Sequence, residues 1–347
     1  MASQQAREWM GIQQFPGATQ SALYGLLSKL KQEDVNSLTI LVMGKGGVGK
    51  SSTVNSLVGE RVAVVSAFQA EAMRPVLCSR SRAGFTLNII DTPGLIEGGF
   101  VNDHALDLIK RFLTNKIIDV LLYVDRLDSY RVDNLDKQII KAISDTFGKQ
   151  IWQRSLVVFT HAQLSPPDGL SYADFVERRS AALHDAILEA AGFKKSDIQM
   201  KLMQMKPLLS NIPLISNSCK KGATFVSNLP LISNVQRNIV TLSGKIPVVL
   251  VENSGRCNTN DGGEKILPDG TVWLPNLVKN IVEVATNDGK SIVIDKKLID
   301  GPDANQRGKR WIPAVLLFQY FFVMKRMLRA IKQDKIAEWR GNDWVKY

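Results

Sequence analysis

Residues 38–51 read LTILVMGKGGVGKS, and this stretch decides the fold. LTILVM is apolar without strict alternation, as expected of a strand buried on both faces. GKGGVGKS (44–51) then matches G-x-x-x-x-G-K-[ST], between that run and a helical stretch. The glycines let backbone N–H groups cradle phosphates at a helix N-terminus. Lys50 is placed to reach the β- and γ-phosphates, and the Ser51 hydroxyl to bind Mg²⁺.

Working outward, a helical pattern, SALYGLLSKLK (21–31), precedes the loop. Further apolar runs follow: FTLNII (85–90), VLLYV (120–124), LVVFT (156–160) and IPVVLV (246–251). Helical patterns lie between them, among them LIKRFL (108–113) and VERRSAALHDAILEAA (176–191). This alternation implies an α/β domain with a mostly parallel central sheet. Each run ends in polar residues: GKGGVGKS, DTPG, DRLDSYR, HAQ and ENSGR. Open α/β sheets bind ligands outside the carboxyl ends of their strands, so these motifs point to one shared site. There Asp91 would hold Mg²⁺ through water, and the Gly94 N–H would meet the γ-phosphate.

IIDTPGL (89–95) raises a problem at its last letter. Ras-like GTPases carry a glutamine there to orient the attacking water. Leu95 can neither accept nor donate a hydrogen bond. Either hydrolysis fails or another group acts. Arg131, just beyond the third run, is the candidate. An arginine supplied in trans, here across a two-fold axis, neutralises transition-state charge and is worth about 10³–10⁵ in rate. Guanidinium is not a base, so slow turnover that rises modestly on dimerisation is expected. The plainer reading is a surface arginine paired with Asp128 or Asp133.

Composition sets the bounds. The 347 residues are 45% hydrophobic and 22% charged, ordinary for a globular chain. A formal net charge of +11 suits an anionic partner such as phosphates or a membrane face, and equally suits simple solubility. No aromatic-basic recognition motif supports nucleic-acid binding. Cys78, Cys219 and Cys257 are scattered, outside metal-ligand spacing, and fit reduced thiols. WIPAVLLFQYFFVM (311–324) is about 14 residues, below the roughly 17–25 of a full span. By composition it is a buried or interfacial helix, or a short span whose flanking Arg310, Lys325 and Arg326 snorkel.

Two families compete for the bound base. KGGVGKS is also the deviant phosphate loop of partition and Min-type ATPases, in which Lys45 would act across a dimer interface. A leader of about forty residues and the DTPGL switch favour a GTPase. No N-K-x-D tetrapeptide is present to read guanine. Instead His161 can stack on a base, and Glu252 can accept from guanine N1–H and N2–H₂. A non-hydrolysing nucleotide-dependent scaffold is the third possibility.

Taken together, GKGGVGKSS, SRAGFTLNIIDTPGLIEGG, VDRLDSYRVDNLD, THAQLSPPDGL, ENSGRC and DGPDANQRGKRWIP resemble the small receptor GTPases of the chloroplast outer-envelope preprotein translocon. The resemblance covers about 1–198 and 246–325. It implies a Ras-like, septin-like P-loop GTPase domain with a C-terminal hydrophobic tail-anchor helix, facing the cytosol. It implies GTP and GDP binding with Mg²⁺, slow GTP hydrolysis and recognition of preprotein transit peptides. The partners it implies are a second copy or a larger sister receptor, and the translocation channel. By the same resemblance, Gly46, Gly47, Val48, Gly49, Lys50, Ser51 and Ser52 contact phosphates. Ser51, Gln69 and Asp91 surround Mg²⁺, and His161, Glu252 and Asn253 contact the base. The dimer contact maps onto Arg126, Tyr130 and Arg131 and the loop Phe68–Glu71.

The expected division is a helical flank (1–36), a GTPase domain (37–300), a linker with the tail anchor (301–325) and a basic tail (326–347). Trp9, Ile12 and Phe15 fit an amphipathic helix in the flank. Residues 199–245 depart from the family. No Asp or Glu occurs from Ile198 to Val251, and SNIPLISNS (210–218) is echoed by SNLPLISNV (227–235). A connection over 40 residues long is far beyond the usual two to six. We read it as a poorly ordered insertion whose composition fits a translated intron.

Overall fold

The computed structural model describes residues 6–65, 74–97, 99–167, 169–190, 246–287, 291–293 and 325–341. Seven strands form one sheet: β1 (Arg7–Glu8), β2 (Ser37–Gly44), β3 (Val76–Arg82), β4 (Phe85–Asp91), β5 (Val120–Arg126), β6 (Ser155–Thr160) and β7 (Val248–Leu250). Their order is β1-β3-β4-β2-β5-β6-β7, and only the β3–β4 pair is antiparallel. The expected mostly parallel α/β sheet is therefore present. Each of the five apolar runs supplies one of its strands.

The buried-on-both-faces reading of the central strands follows from their packing. Leu121, Leu122, Tyr123 and Val124 of β5 are fully buried, as are Ile89 and Ile90 of β4. Helices α1 (Gly17–Gln32), α2 (Lys50–Val58) and α6 (Trp273–Thr286) pack together. So do α3 (Asp103–Leu113), α4 (Asn134–Phe147) and α5 (Tyr172–Ala190). Helix α4 starts sharply because Asp133 and Asp136 form a reciprocal capping box. Helix α2 ends at Gly59, whose φ of 73° is the left-handed cap that glycine adopts without a Cβ clash.

Two details of the flank differ from expectation. Trp9 and Ile12 are buried as anticipated, but not on one long helix. Arg7–Glu8 instead adds an edge strand beside β3, and a short 3₁₀ turn, Gly11–Gln14, carries Ile12. The free edge of β3 is the reason. It offers backbone partners, such as Ser81 O for the Trp9 N–H at 2.9 Å, while the Trp9 indole donates to Val58 O at 2.7 Å. Strand β3 itself, VLCSRSR, lacks an apolar run. Its Arg80 is paired with Glu60 at 2.6 Å, so its stability comes from hairpin pairing and an ion pair rather than from a doubly buried core.

Lys296–Tyr347 forms a separate unit, of which the helix α7 (Lys325–Gly341) is described. It is strongly polar, with Met327 and Leu328 exposed. Among the described residues no helix is long and apolar enough to cross a membrane. The apolar run 311–324, Gln69, the loop Phe68–Glu71 and the insertion 199–245 all lie outside the described residues.

Candidate functional site

Strand β2 delivers its chain into a loop that backbone geometry shapes. A Cβ on Gly44 would lie 2.2 Å from Val124 O, so only glycine lets β2 turn beside β5. Gly49 opens α2 at φ 93°, a left-handed conformation that favours glycine, and a Cβ there would sit tightly against Thr160, at 3.3 Å. Gly46 and Gly47 are exposed, Val48 is buried, and Ser51 and Ser52 follow in the first turn of α2. Lys50 is buried, and its ammonium donates to Lys45 O at 2.5 Å. The Ser51 hydroxyl donates to Asp91 Oδ2 at 2.6 Å. A hydroxyl and a carboxylate side by side are hard oxygen donors, the set that suits Mg²⁺ beside phosphate. The structure thus brings Ser51 and Asp91 together although 40 residues separate them.

After β4 the chain is held down firmly. Thr92 donates to Val42 O at 2.7 Å, and the Leu95 N–H donates to Gly44 O at 3.2 Å. Leu95 is completely buried. Its side chain is a core anchor for the switch segment, which explains an apolar residue after Gly94.

At the other end of the site, Thr160 ties three elements together. Its hydroxyl donates to Val48 O at 2.6 Å and approaches His161 Nδ1 at 3.0 Å. His161 follows at φ 56°, a left-handed conformation that costs a non-glycine residue about 1–3 kcal/mol. The surroundings hold it there. Ala162 N–H bonds Val251 O, and Ala162 O accepts the Tyr172 hydroxyl at 2.8 Å. Glu252 is buried, and its two oxygens accept the backbone N–H groups of Gln163 (3.0 Å) and Ser254 (2.9 Å). Burial pushes its carboxyl pKa up. Those amides, the Ser254 hydroxyl and the nearby His161 outweigh burial and hold it below the ordinary value. Asn253 lies against α2, donating to Thr53 Oγ1 at 2.9 Å.

The loop after β5 is the third part. Arg126 grips Asp128 through two hydrogen bonds of 2.9 and 2.6 Å. Asp133 caps α4. Neither acid therefore pairs with Arg131, which is exposed. Tyr130 is also exposed, with its ring edge-on to Phe175 at 5.3 Å. Beneath this loop, Arg179 pairs with Asp125 at 2.5 Å, both almost fully buried.

Lys45 bears on the choice of family. Its ammonium is ion-paired within the chain, to buried Asp136 and, at 3.8 Å, to Asp133. A lysine so occupied is not extended towards another subunit, as a Min-type ATPase requires.

The comparisons with known proteins decide the matter. The profile of the AIG1 family matches residues 38–245. The chain is 55% identical over 337 residues to translocase of chloroplast 34 of Arabidopsis thaliana, covering 97% of this chain and 94% of that protein. The chain belongs to the AIG1 family. Within it, this chain is a GTPase of the chloroplast-translocase receptor kind. The crystal structure of Toc33 from Arabidopsis thaliana with GDP and Mg²⁺ superposes with a TM-score of 0.68 at 50% identity, over 83% of this chain and all of that one. A second structure, from work finding dimerization important for the GTPase activity of atToc33 and psToc159, gives a TM-score of 0.68 at 51% identity, over 84% of this chain and 99% of that one.

THAQ (160–163) marks its strand end in the sequence, but not the contacts its residues make. The Thr160 and Tyr172 hydroxyls bond backbone carbonyls, and the Gln163 backbone N–H bonds the Glu252 carboxylate; one-dimensional spacing carries no signal for such contacts. No motif read from the sequence gives Asp136 a role, and its ion pair with Lys45 spans 91 residues. A cavity of about 650 Å³ between α5 and β7, lined by Val176, His184, Ile246 and Leu250, lies away from the phosphate loop. Chemistry rather than concavity therefore marks the site.

Proposed function

We propose that this chain is a GTP-gated receptor at the chloroplast outer envelope, binding transit peptides of nuclear-encoded preproteins and dimerising for import. In this reading Lys50 neutralises phosphate charge, Ser51, Asp91 and Gln69 surround Mg²⁺, and residues 46–52 with Gly94 cradle phosphates. His161, Glu252 and Asn253 form the base end. The GTPase domain faces the cytosol, and residues 311–324 form the tail anchor. Arg131, with Arg126 and Tyr130, contacts a second copy or a larger sister receptor, and the complex serves a translocation channel.

The observation that carries this reading is the convergence at one sheet end. The phosphate loop, the Ser51–Asp91 pair and the Glu252 loop meet there, and the loop bearing exposed Arg131 leaves the neighbouring strand. Competition binding on the purified full chain with Mg²⁺ tests it. GTP and GDP should bind at least tenfold more tightly than ATP; tighter ATP binding would overturn it. Single-turnover hydrolysis should be slow but measurable. Arg131→Ala should weaken dimerisation by about 30-fold or more, the range of an interface hot spot. If it changes neither dimer affinity nor turnover, the assignment of Arg131 fails. Carbonate extraction from envelope membranes, with and without residues 311–324, tests the anchor.

A further inference from the structure

We propose that Lys45 is a positioning residue coupling the phosphate site to the dimer loop, so that nucleotide state and dimer affinity report on one another through a single side chain. The inference rests on the reading of this chain as a dimerising GTPase. Lys45 is held at both ends. Its carbonyl accepts the ammonium of Lys50 at 2.5 Å. Its own ammonium pairs with Asp136 and lies 3.8 Å from Asp133. Those two aspartates are the capping box that fixes the first turn of α4. Arg131 sits two residues before Asp133, on the segment that this cap terminates.

The chemistry gives the connection a direction. A phosphate competes for the Lys50 ammonium, because it adds a charge–charge attraction that the neutral Lys45 carbonyl does not supply. As Lys50 turns to phosphate, the Lys45 carbonyl loses that donor and its peptide is free to reorient. The Lys45 side chain carries the reorientation to Asp136. Asp136 is completely buried and Lys45 largely so, so neither water nor salt readily substitutes for the contact. Moving the cap moves the residues entering α4, among them Arg131. Linkage requires the reverse as well: a partner that fixes Arg131 must change nucleotide affinity by the same factor.

The test uses the full chain loaded with GDP or a non-hydrolysable GTP analogue, with dimer dissociation measured by sedimentation velocity. The quantity read is the ratio of dimer affinities in the two states. Lys45→Arg keeps the charge and should keep the ratio within about twofold of the natural chain. Lys45→Gln leaves Asp136 buried without its cation and is prone to misfold. The double variant Lys45→Met with Asp136→Ser removes both charges and the contact between them, while the shorter hydroxyl can still accept the Asp133 N–H at the cap. It should fold, bind nucleotide, and bring the ratio to within about twofold of one. A purely structural role would shift Tm and both affinities together and leave the ratio unchanged; that result overturns the proposal. A natural chain whose dimer affinity is the same in both states also overturns it, while leaving GTP binding intact. Failure to bind GTP at all would instead sink the functional reading itself.

Discussion

Between Gly44 and Ser51, positions are set by backbone: Gly44, where a Cβ would strike Val124 O, Gly49 at a positive φ, a helix N-terminus and a lysine turned onto its own loop. Between Thr160 and Ser254, positions are set by side chains acting on distant backbone. Thr160 reaches Val48, Glu252 reaches Gln163, and Tyr172 reaches Ala162. A phosphate needs charge and N–H groups, which any chain supplies at a helix N-terminus. A base needs a shaped edge, and at the end proposed for it the loops are clamped to one another. The first kind of site can be read from eight consecutive letters; the second cannot.

The sharpest way to break this contrast is at Lys50. Lys50→Met removes a charged donor from the phosphate end and should weaken GDP binding by about 100-fold, at the upper end of a charged hydrogen bond's worth. Isothermal titration measures it, and a loss under about fivefold would remove Lys50 from the phosphate site. Next comes Leu95→Gln, which supplies the glutamine that Ras-like GTPases use. Because Leu95 is fully buried, an amide there costs about 2–3 kcal/mol and should lower Tm by roughly 4–10 °C, without faster hydrolysis. Faster single-turnover hydrolysis would show that the side chain can reach the nucleotide after all.

Glu252→Gln probes the clamped end. One of the two backbone N–H groups then meets an amide NH₂ instead of an acceptor, at a cost of about 1–3 kcal/mol. GDP affinity should fall, while competition by pyrophosphate, which lacks a base, should change less than about twofold. Equal losses for both ligands would mean the clamp serves the whole site. The same residue carries a pH signature. Its folded pKa lies below its ordinary value of 4.5. Its contribution is therefore complete above that value and lost as pH falls through the lower folded one. Acid denaturation curves of Glu252→Gln should lose less stability over that window than those of the natural chain. The smallest effect belongs to Asp128→Asn. Its carboxyl is held low first by the Arg126 hydrogen bonds, but the pair is over a third exposed, so stability should change by less than about 1 kcal/mol. A larger change in chemical denaturation would show the pair to be structural.

How much was legible depends on how locally each feature is encoded. The five apolar strands could be read because doubly buried strands advertise themselves by composition. Strand β3 could not, since its alternating Arg and Ser residues are stabilised by the hairpin partner and by Glu60. In the flank the helix over 21–31 is present within α1, but Trp9 and Ile12, which have helical spacing, sit at a free sheet edge that no local pattern reveals. Leu95 has no hydrogen-bonding side chain, and its complete burial gives the reason: packing. Neither Asp128 nor Asp133 pairs with Arg131, because Arg126 holds the first and the α4 cap the second.

By itself the sequence determined the phosphate loop, the Mg²⁺ ligand candidates, the α/β alternation and the family, because these depend on residue types at short, fixed spacing. Only the tertiary structure decided that Leu95 is core, that Lys45 is bound to α4 rather than offered to a partner, and that Glu252 spends its carboxylate on two backbone amides. Those outcomes turn on which of several chemically suitable partners lies nearest in space, and chain order does not contain that distance.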